Sequence, residues 1–251
     1  MATQSVLLLG GTGRTGRSVL RQLLARGASV RVIVRSAERL PPDLAGAPTL
    51  TVLQADLLSM SDDDFLAQLR GCGAVISCLG HTLGLRGIYG APRDLVTQAA
   101  AKVQRATAVL QPAVPVRLIM MSSVSVNHPG GSDTRRGGVE RALLWFLRCV
   151  LPPALDNQRV ADFLYRQVGS SHPFLEWAAV RPDTLLESEV SQYAVHESLV
   201  DSLFAPGKTN IANVAHFMCE LAAKDRVWEA WKGKFPVVVN APAARGSQPE
   251  A

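Results

Sequence analysis

The sequence predicts an α/β protein built on a doubly wound parallel sheet, with a small C-terminal region that shapes a substrate pocket. A glycine-rich run at residues 10–16 stands between an apolar stretch at 6–9 and a helix-like stretch at 18–25. Strand and helix patterns then alternate along most of the chain, which favours a parallel sheet with helices on both faces. The composition, 47% apolar and 19% charged over 251 residues, is typical of a globular protein with a full core.

The glycine-rich run fits two dinucleotide-binding patterns. Gly10, Gly13 and Gly16 match GxxGxxG, and Gly11, Gly13 and Gly16 match GxGxxG. A tight turn needs residues without Cβ, and a pyrophosphate needs close approach to backbone N–H groups. A glycine-rich surface loop is the alternative, but the flanking strand and helix favour a Rossmann-type site. We therefore assign the loop to cofactor binding: Gly10, Gly11, Thr12, Gly13, Arg14, Thr15 and Gly16.

The remaining elements follow in order from their apolar patterns. Strands are predicted at residues 29–34, 50–54, 74–77, 116–121, 174–180 and 235–239. Helices are predicted at residues 62–69, 92–110, 156–168 and 211–223. We expect one nucleotide-binding domain over residues 1–240, with pocket-forming insertions near 127–153 and 183–210, and a disordered tail over 241–251.

Composition and charge argue against several other classes of protein. No stretch reaches the length of a membrane span, and the first residues lack the basic region of a signal peptide. The four cysteines show no metal-ligand spacing, so we expect reduced thiols, no metal site and a cytoplasmic location. The net charge of +5 suits a phosphorylated cofactor and does not by itself imply nucleic acid.

The end of the second strand predicts which cofactor is preferred. In this topology an acidic residue there binds the ribose 2′-hydroxyl, whereas an arginine accommodates a 2′-phosphate. The chain carries Arg35 at this point and Arg39 shortly after it, with Arg14 in the glycine loop. A guanidinium pairs with phosphate through two parallel hydrogen bonds, so we predict NADP(H) over NAD(H). Glu38 opposes this prediction, and solvated loop arginines are the alternative.

The carboxyl ends of the other strands supply further candidate cofactor contacts, because ligands of such sheets bind at that edge. Asp56 follows the third strand and could hold the adenine edge, or it could instead initiate a helix. Small residues after the fourth strand would allow close approach of the cofactor. The candidates assigned from topology are Asp56, Leu57, Cys78, Leu79, Gly80, Ser122, Pro182 and Thr184.

With these pieces in order, the chain resembles the atypical or extended short-chain dehydrogenases/reductases, especially the NmrA-like and biliverdin-reductase-B-like proteins. The resemblance is carried by residues 10–16, 34–36, 54–57, 122–124 and 180–182, and the stretch 30–58 is similar to the second group in particular. It implies an NADP-binding Rossmann fold, monomers or dimers, and often the reduction of flavins, quinones, tetrapyrroles or related conjugated acceptors.

One departure from this family pattern bears on the chemistry. Typical members carry Tyr-x-x-x-Lys on the helix after strand five, where the tyrosine donates a proton and the lysine holds the ribose. Ala154 and Gln158 stand at the matching positions, although Gln158 keeps a place among the cofactor contacts. Two outcomes stay open: hydride transfer to an acceptor that needs little acid catalysis, or a redox sensor that binds cofactor without turnover.

Several polar side chains are candidates for the substrate site. Ser123, at the end of strand five, is the candidate proton donor, with a hydroxyl bonded to nearby backbone as the alternative. His81 and Tyr89 lie in the loop after strand four and could line the substrate pocket, as could Tyr193 beyond strand six. A solvated loop histidine is the alternative for His81.

An apolar run at residues 142–151 follows Arg135, Arg136 and Arg141. It is too short to cross a bilayer, and we favour a helix packed into the core. The alternatives are a flap over an apolar aromatic substrate, a peripheral membrane contact, or a contact with a second subunit.

Overall fold

The computed structural model describes residues 5–44, 46–81, 89–133 and 135–241. The expected tail beyond residue 241, the N-terminal residues 1–4 and the loop residues 82–88 lie outside the described residues. The strands are β1 Ser5–Leu9, β2 Val30–Val34, β3 Leu50–Gln54, β4 Cys72–Ser77, β5 Val116–Met121, β6 Leu175–Pro182, β7 Thr184–Leu186, β8 Tyr193–His196, β9 Lys208–Asn210 and β10 Val237–Asn240.

Helices connect these strands and cover the sheet. The α-helices are α1 Arg14–Ala25, α2 Asp62–Leu69, α3 Leu95–Leu110, α4 Gly138–Val150, α5 Pro152–Phe163, α6 Ile211–Ala223 and α7 Asp225–Trp231. Short 3-10 turns lie at Ala37–Arg39 and Pro42–Leu44, and a π-helical turn at Leu164–Val168 follows α5.

The main sheet has the strand order β3-β2-β1-β4-β5-β6-β10-β8. Every neighbouring pair is parallel except β10 and β8, which run antiparallel. The order reverses between β1 and β4, and the carboxyl ends of these two strands therefore flank a crevice. The predicted Rossmann-type, doubly wound sheet is confirmed. Strands β7 and β9 form a separate parallel pair beside it.

Two apolar layers hold the helices against the sheet. Leu7 and Leu9 face one layer, together with Phe65 of α2 and Val96 of α3. Leu8 faces the other layer, which contains residues of α1 and α6. Successive strand residues point to opposite faces, and a strand buried on both faces therefore needs the uninterrupted apolar run that β1 has.

Several boundaries differ from the sequence predictions. Helix α1 begins at Arg14, so the second half of the glycine run forms its first turn. Helix α5 begins at Pro152 rather than at residue 156. Proline is tolerated there because the N–H groups of the first helical turn have no acceptor within the helix, so the missing N–H of proline breaks no hydrogen bond. Helix α7 and strands β7 to β9 were not predicted, since elements of three to seven residues carry too little periodicity to be recognised.

The preference for a core-packed helix over residues 142–151 is wrong. Within α4 only Glu140 and Leu144 are buried, whereas Trp145 is 67% exposed and Phe146 is 55% exposed. Residues of α5, including Val160 and Ala161, cover this part of the sheet instead. Among the described residues no helix has the length and apolarity to span a bilayer.

Candidate functional site

A cleft opens at the carboxyl edge of the sheet, where the strand order reverses. It collects the predicted residues Gly10, Thr12, Gly13, Arg35, Asp56, Leu57, Cys78, Leu79 and Gly80. Arg39, Pro92 and Leu95 also line it, and the last two were not predicted. The sequence offers only one weak indication of them, which is that Pro92 precedes the helix after β4 and Leu95 begins it.

Backbone crowding explains the glycines in the β1–α1 turn. A Cβ on Gly10, which has φ +79°, would lie 2.7 Å from the carbonyl of Cys78. A Cβ on Gly16 would lie 2.1 Å from the carbonyl oxygen of Gly10. The turn therefore passes close to the end of β4 and to the first turn of α1, and Gly13 N–H donates to Gly10 O at 3.1 Å.

The N-terminus of α1 is suited to an anion. Gly13 is its N-cap residue and supplies no side-chain cap, and the first turn contains no acidic residue. The amides of a first helical turn lack intrahelical acceptors and carry the positive end of the helix dipole. A pyrophosphate would satisfy these donors, so the loop fits the group that its glycine pattern implies.

Gly11, Arg14 and Thr15 belong to the same loop but do not line the cleft. Gly11 packs beneath the cleft, where a Cβ would lie 2.6 Å from Cγ2 of Val32. Thr15 is buried. The Nε of Arg14 pairs with Glu187 Oε1 at 2.8 Å, and both side chains are largely exposed. The Arg14 guanidinium is thus engaged with the segment after β7 and does not line the cleft.

Two arginines, Arg35 and Arg39, line the cleft beyond β2. Glu38 lies between them in sequence but does not line the cleft. The Ser36 hydroxyl donates to Glu38 Oε1 at 2.5 Å, and this hydrogen bond lowers the pKa of the Glu38 carboxyl. The Glu38 carboxylate, which argued against NADP(H), is therefore hydrogen-bonded to a residue of its own turn.

Asp56 both lines the cleft and shapes its own turn. Its Oδ1 accepts hydrogen bonds from the N–H groups of Leu58 at 2.9 Å and Ser59 at 3.3 Å. Beside it, Cys78 contributes its backbone to the cleft, while burial raises the pKa of its thiol. The thiol stays protonated at neutral pH and is not a nucleophile.

The ends of β4 and β5 present hydroxyl groups without partners. The Oγ atoms of Ser77 and Ser122 are buried, and neither finds a hydrogen-bond partner among the described residues. Ser123 Oγ accepts from Ser125 N at 3.2 Å and from Ser125 Oγ at 3.1 Å, the local bonding foreseen as the alternative for this residue. Its own O–H proton can still be donated to a ligand.

Gln158 supports the loop after β5. Its Oε1 accepts from Asn127 N at 2.9 Å and its Nε2 donates to Asn127 O at 3.2 Å. Gln158, which stands where typical members of the family carry lysine, therefore binds the backbone of Asn127 through both polar atoms of its amide. Pro182 is buried at the end of β6, and Thr184 is exposed.

His81 is tied to a buried carboxylate that was not predicted as a functional residue. Asp156, completely buried on α5, accepts from His81 Nε2 at 2.9 Å. It also accepts from Val96 N at 2.8 Å, Thr97 N at 3.1 Å and Thr97 Oγ1 at 2.6 Å. These donors belong to the first turn of α3, so one carboxylate joins α5, α3 and the residue after Gly80.

The tyrosines predicted for the substrate pocket occupy different surroundings. Tyr89 is 44% exposed. The Tyr193 hydroxyl is hydrogen-bonded to His216 Nδ1 on α6 at 2.8 Å, and burial raises the pKa of Tyr193 to about 12. The Tyr193 hydroxyl therefore serves a contact between β8 and α6. Among the described residues no group of His, Cys, Asp or Glu side chains could hold a metal ion.

A second depression lies at the opposite, amino edge of the sheet. Its volume is about 380 Å³. Residues 69–73, 110 and 112–116 line it, and all of them except Arg70 are apolar or glycine. Ligands of doubly wound sheets bind outside the carboxyl ends of the strands, so the position of the cleft at that edge selects it as the candidate cofactor site.

Comparison with known proteins agrees with this geometry. A family model described as NAD(P)H-binding matches residues 10–225. The averufin oxidase of Emericella nidulans is 27% identical over 246 residues, which cover 88% of this chain and 77% of that protein. The oxidoreductase ylbE from Lactococcus lactis has a TM-score of 0.66 at 20% identity, covering 96% of this chain and 92% of its own. The anaerobillin reductase from Escherichia coli O157:H7 has a TM-score of 0.65 at 18% identity, covering 95% of this chain and 100% of its own.

Proposed function

The chain belongs to the NAD(P)H-binding family, and from this premise we propose an NADPH-dependent reductase that transfers hydride to a conjugated, apolar small molecule of quinone, flavin or heteroaromatic type. The observation that carries the proposal is the cleft itself. It combines an uncapped helix N-terminus behind a glycine turn with two arginines beyond β2.

The arginines favour the phosphorylated cofactor. Arg35 and Arg39 would pair with a 2′-phosphate, whereas an NAD site commonly places a carboxylate at the end of β2. Glu38, the acidic residue near this point, is bonded to Ser36 instead. The glycine turn would hold the pyrophosphate, and Asp56 and Leu57 would border the adenine.

No tyrosine of the chain is followed by lysine four residues later, and this supports a particular kind of acceptor. A bound nicotinamide supplies the hydride, and the protein has to orient the acceptor and exclude water. Ala154 and Gln158 offer no acid of suitable pKa at the usual positions. A conjugated acceptor fits, because the charge that develops on it is delocalised, and a hydroxyl such as that of Ser123 can donate a hydrogen bond to it. The names of two relatives, an oxidase and a reductase, support redox chemistry.

We place this activity in the cytoplasm, in one nucleotide-binding domain over residues 1–240, acting as a monomer or homodimer. All four cysteines are unpaired thiols, which supports a reducing compartment.

Cofactor preference is tested by titrating NADPH and NADH into wild type and Arg35→Ala. We expect wild type to bind NADPH at least about tenfold more tightly, and Arg35→Ala to lose most of that preference while binding NADH unchanged. Arg105→Ala removes the same charge from an exposed site outside the cleft and should leave both affinities unchanged. Equal affinity of wild type for the two nucleotides would contradict the proposal.

Turnover is tested by the loss of NADPH absorbance against a panel of quinones, flavins and heteroaromatic compounds. We expect oxidation with at least one apolar conjugated acceptor. Tight NADPH binding with no oxidation across a broad panel would instead favour the second candidate, a redox sensor that binds cofactor and changes its interactions. The observation that favours this candidate is Gln158, whose amide is occupied by the Asn127 backbone. Pull-down with and without NADPH would then identify the partner.

A further inference from the structure

Helix α4 presents an apolar face that no other described element covers. Its members recur at spacings of four, three and four residues, which places them in one stripe along the helix. They are Val139, Leu143, Phe146 and Val150, all exposed, with Trp145 beside them. We call this set the α4 face. Phe204, 66% exposed, follows Ser202 and Leu203, which bind Glu140 in the first turn of α4.

Helix α4 and the residues just before it expose charges of one sign, and Asp201 is the exposed carboxylate of the segment that contacts the first turn of the helix. Residues 135–151 contain four arginines and a single glutamate, Glu140. That glutamate is buried, and its carboxylate accepts from Ser202 Oγ at 2.6 Å, Leu203 N at 2.8 Å and Gly137 N at 3.2 Å. Arg135 and Arg141 are exposed. The surface that meets solvent here is therefore apolar and positively charged.

From this combination we infer that the α4 face docks on an anionic lipid bilayer, with α4 lying in the plane of the membrane. Tryptophan and phenylalanine insert at the boundary between headgroups and acyl chains, and arginines beside them pair with anionic headgroups. The helix has 13 residues, about 20 Å in length, which suits a helix on the membrane and not across it. This inference does not depend on the proposed reductase activity.

A second copy of the chain is the competing occupant, and charge argues against it. A two-fold interface places each surface against itself, so the exposed arginines of both copies would border the same seam and repel one another. An anionic bilayer supplies the opposite charge. Docking would also bring the bilayer near the carboxyl edge of the sheet, since Arg148 of α4 donates to Ser125 O at 3.1 Å in the loop after β5.

Vesicle flotation tests the inference with the full chain. Wild type should float with vesicles of phosphatidylcholine and phosphatidylserine in equal amounts, and much less with phosphatidylcholine alone. Trp145→Glu/Phe146→Glu should weaken binding to the mixed vesicles at least about tenfold. Arg135→Ser/Arg141→Ser should weaken it several-fold and reduce its dependence on salt. The control Val109→Glu/Val114→Glu alters two side chains that are equally exposed (70% and 65%) but lie toward the amino edge of the sheet, and it should bind as wild type does.

Three results would overturn the inference. Wild type could fail to bind the mixed vesicles, or the Trp145→Glu/Phe146→Glu variant could bind as well as wild type. Sedimentation could also show that wild type is a dimer that this variant converts to a monomer, which would assign the α4 face to a second copy. Because both side chains are exposed, the variant should keep its Tm; if it does not, Trp145→Ser/Phe146→Ser replaces it under the same criteria.

Discussion

Gly10 and Gly16 allow the turn beside the cleft to form because they have no Cβ atom. A side chain at Gly10 would meet the backbone just after β4, and a side chain at Gly16 would meet the backbone of Gly10. Backbone cannot rotate out of the way as a flexible side chain can, so the cost of a Cβ is a displacement of the turn. The same turn supplies the amides of the candidate pyrophosphate site.

The residue-scale prediction is Gly16→Ala. Its Cβ would lie 2.1 Å from Gly10 O and 2.9 Å from Gly10 C, which forces the turn to move. We expect a loss of about 1–3 kcal/mol in the free energy of unfolding and a loss of at least about tenfold in NADPH affinity. Urea unfolding and calorimetric titration measure the two effects.

Gly138→Ala is the matched control. Gly138 also lies in the first turn of a helix, but a Cβ there would meet no atom within 4 Å. Stability and affinity should both stay close to wild type. The explanation of the glycine turn fails if the two variants behave alike.

At the scale of elements, Asp156 joins pieces of structure that are far apart in the chain. Helix α3 lacks a side-chain cap from its own N-cap residue, Asp94. Asp156 of α5 serves instead and receives the amides of Val96 and Thr97. A carboxyl group at this place satisfies amides that have no acceptor within the helix. The start of α3, which borders the cleft through Leu95, is thereby fixed against α5.

Asp156→Asn tests this arrangement. An amide has one oxygen in place of two, so at least one buried donor is left unpaired and the amide NH₂ faces other donors. We expect a loss of about 3 kcal/mol in the free energy of unfolding, measured by urea denaturation. Asp162→Asn, on the same helix but only partly buried, should change it by less than about 0.5 kcal/mol. An unfolding midpoint for Asp156→Asn equal to that of wild type would refute the role.

At the scale of the whole molecule, three histidines in different parts of the fold are hydrogen-bonded through the Nδ1 atom of the ring. His128 Nδ1 accepts from Gly130 N at 3.0 Å, His172 Nδ1 accepts from Phe174 N at 3.2 Å, and His216 Nδ1 is bonded to the Tyr193 hydroxyl at 2.8 Å. Burial lowers the pKa of each ring below the ordinary value of 6.5. Protonation at Nδ1 would also break the bonds that His128 and His172 accept from backbone N–H groups, so the folded protein favours neutral rings.

This arrangement predicts that stability falls in mild acid. Above an ordinary histidine pKa of 6.5, both folded and unfolded chains hold neutral rings, and these groups cause no pH dependence. As the pH falls from about 7 to about 5, the unfolded chain takes up protons first and is favoured. Tm should therefore decrease over this window.

Replacing all three histidines by asparagine, whose Oδ1 retains the acceptor, should flatten the slope of Tm against pH over the same window. The comparison uses the slope, so a uniform change in Tm does not affect it. An unchanged slope in the triple variant would assign the acid sensitivity to other groups.

Much of this fold could be predicted from local patterns. The apolar strands, the glycine run and Arg35 carry their meaning in short stretches of sequence, because a buried parallel strand and a dinucleotide turn impose requirements on neighbouring residues. The residues at the carboxyl ends of β2, β3 and β4 could then be placed around one cleft by topology alone. For the same reason, family membership follows from the sequence.

The surroundings of single side chains depended on the tertiary structure. The sequence by itself determined the class of the sheet, the glycine turn after β1 and the presence of an arginine beyond β2. Only the three-dimensional packing decided that Asp156 caps α3, that Tyr193 bonds to His216, and that the α4 face meets solvent. The physical reason is that periodicity specifies which face of an element is apolar, whereas burial depends on which distant element occupies the space beside that face.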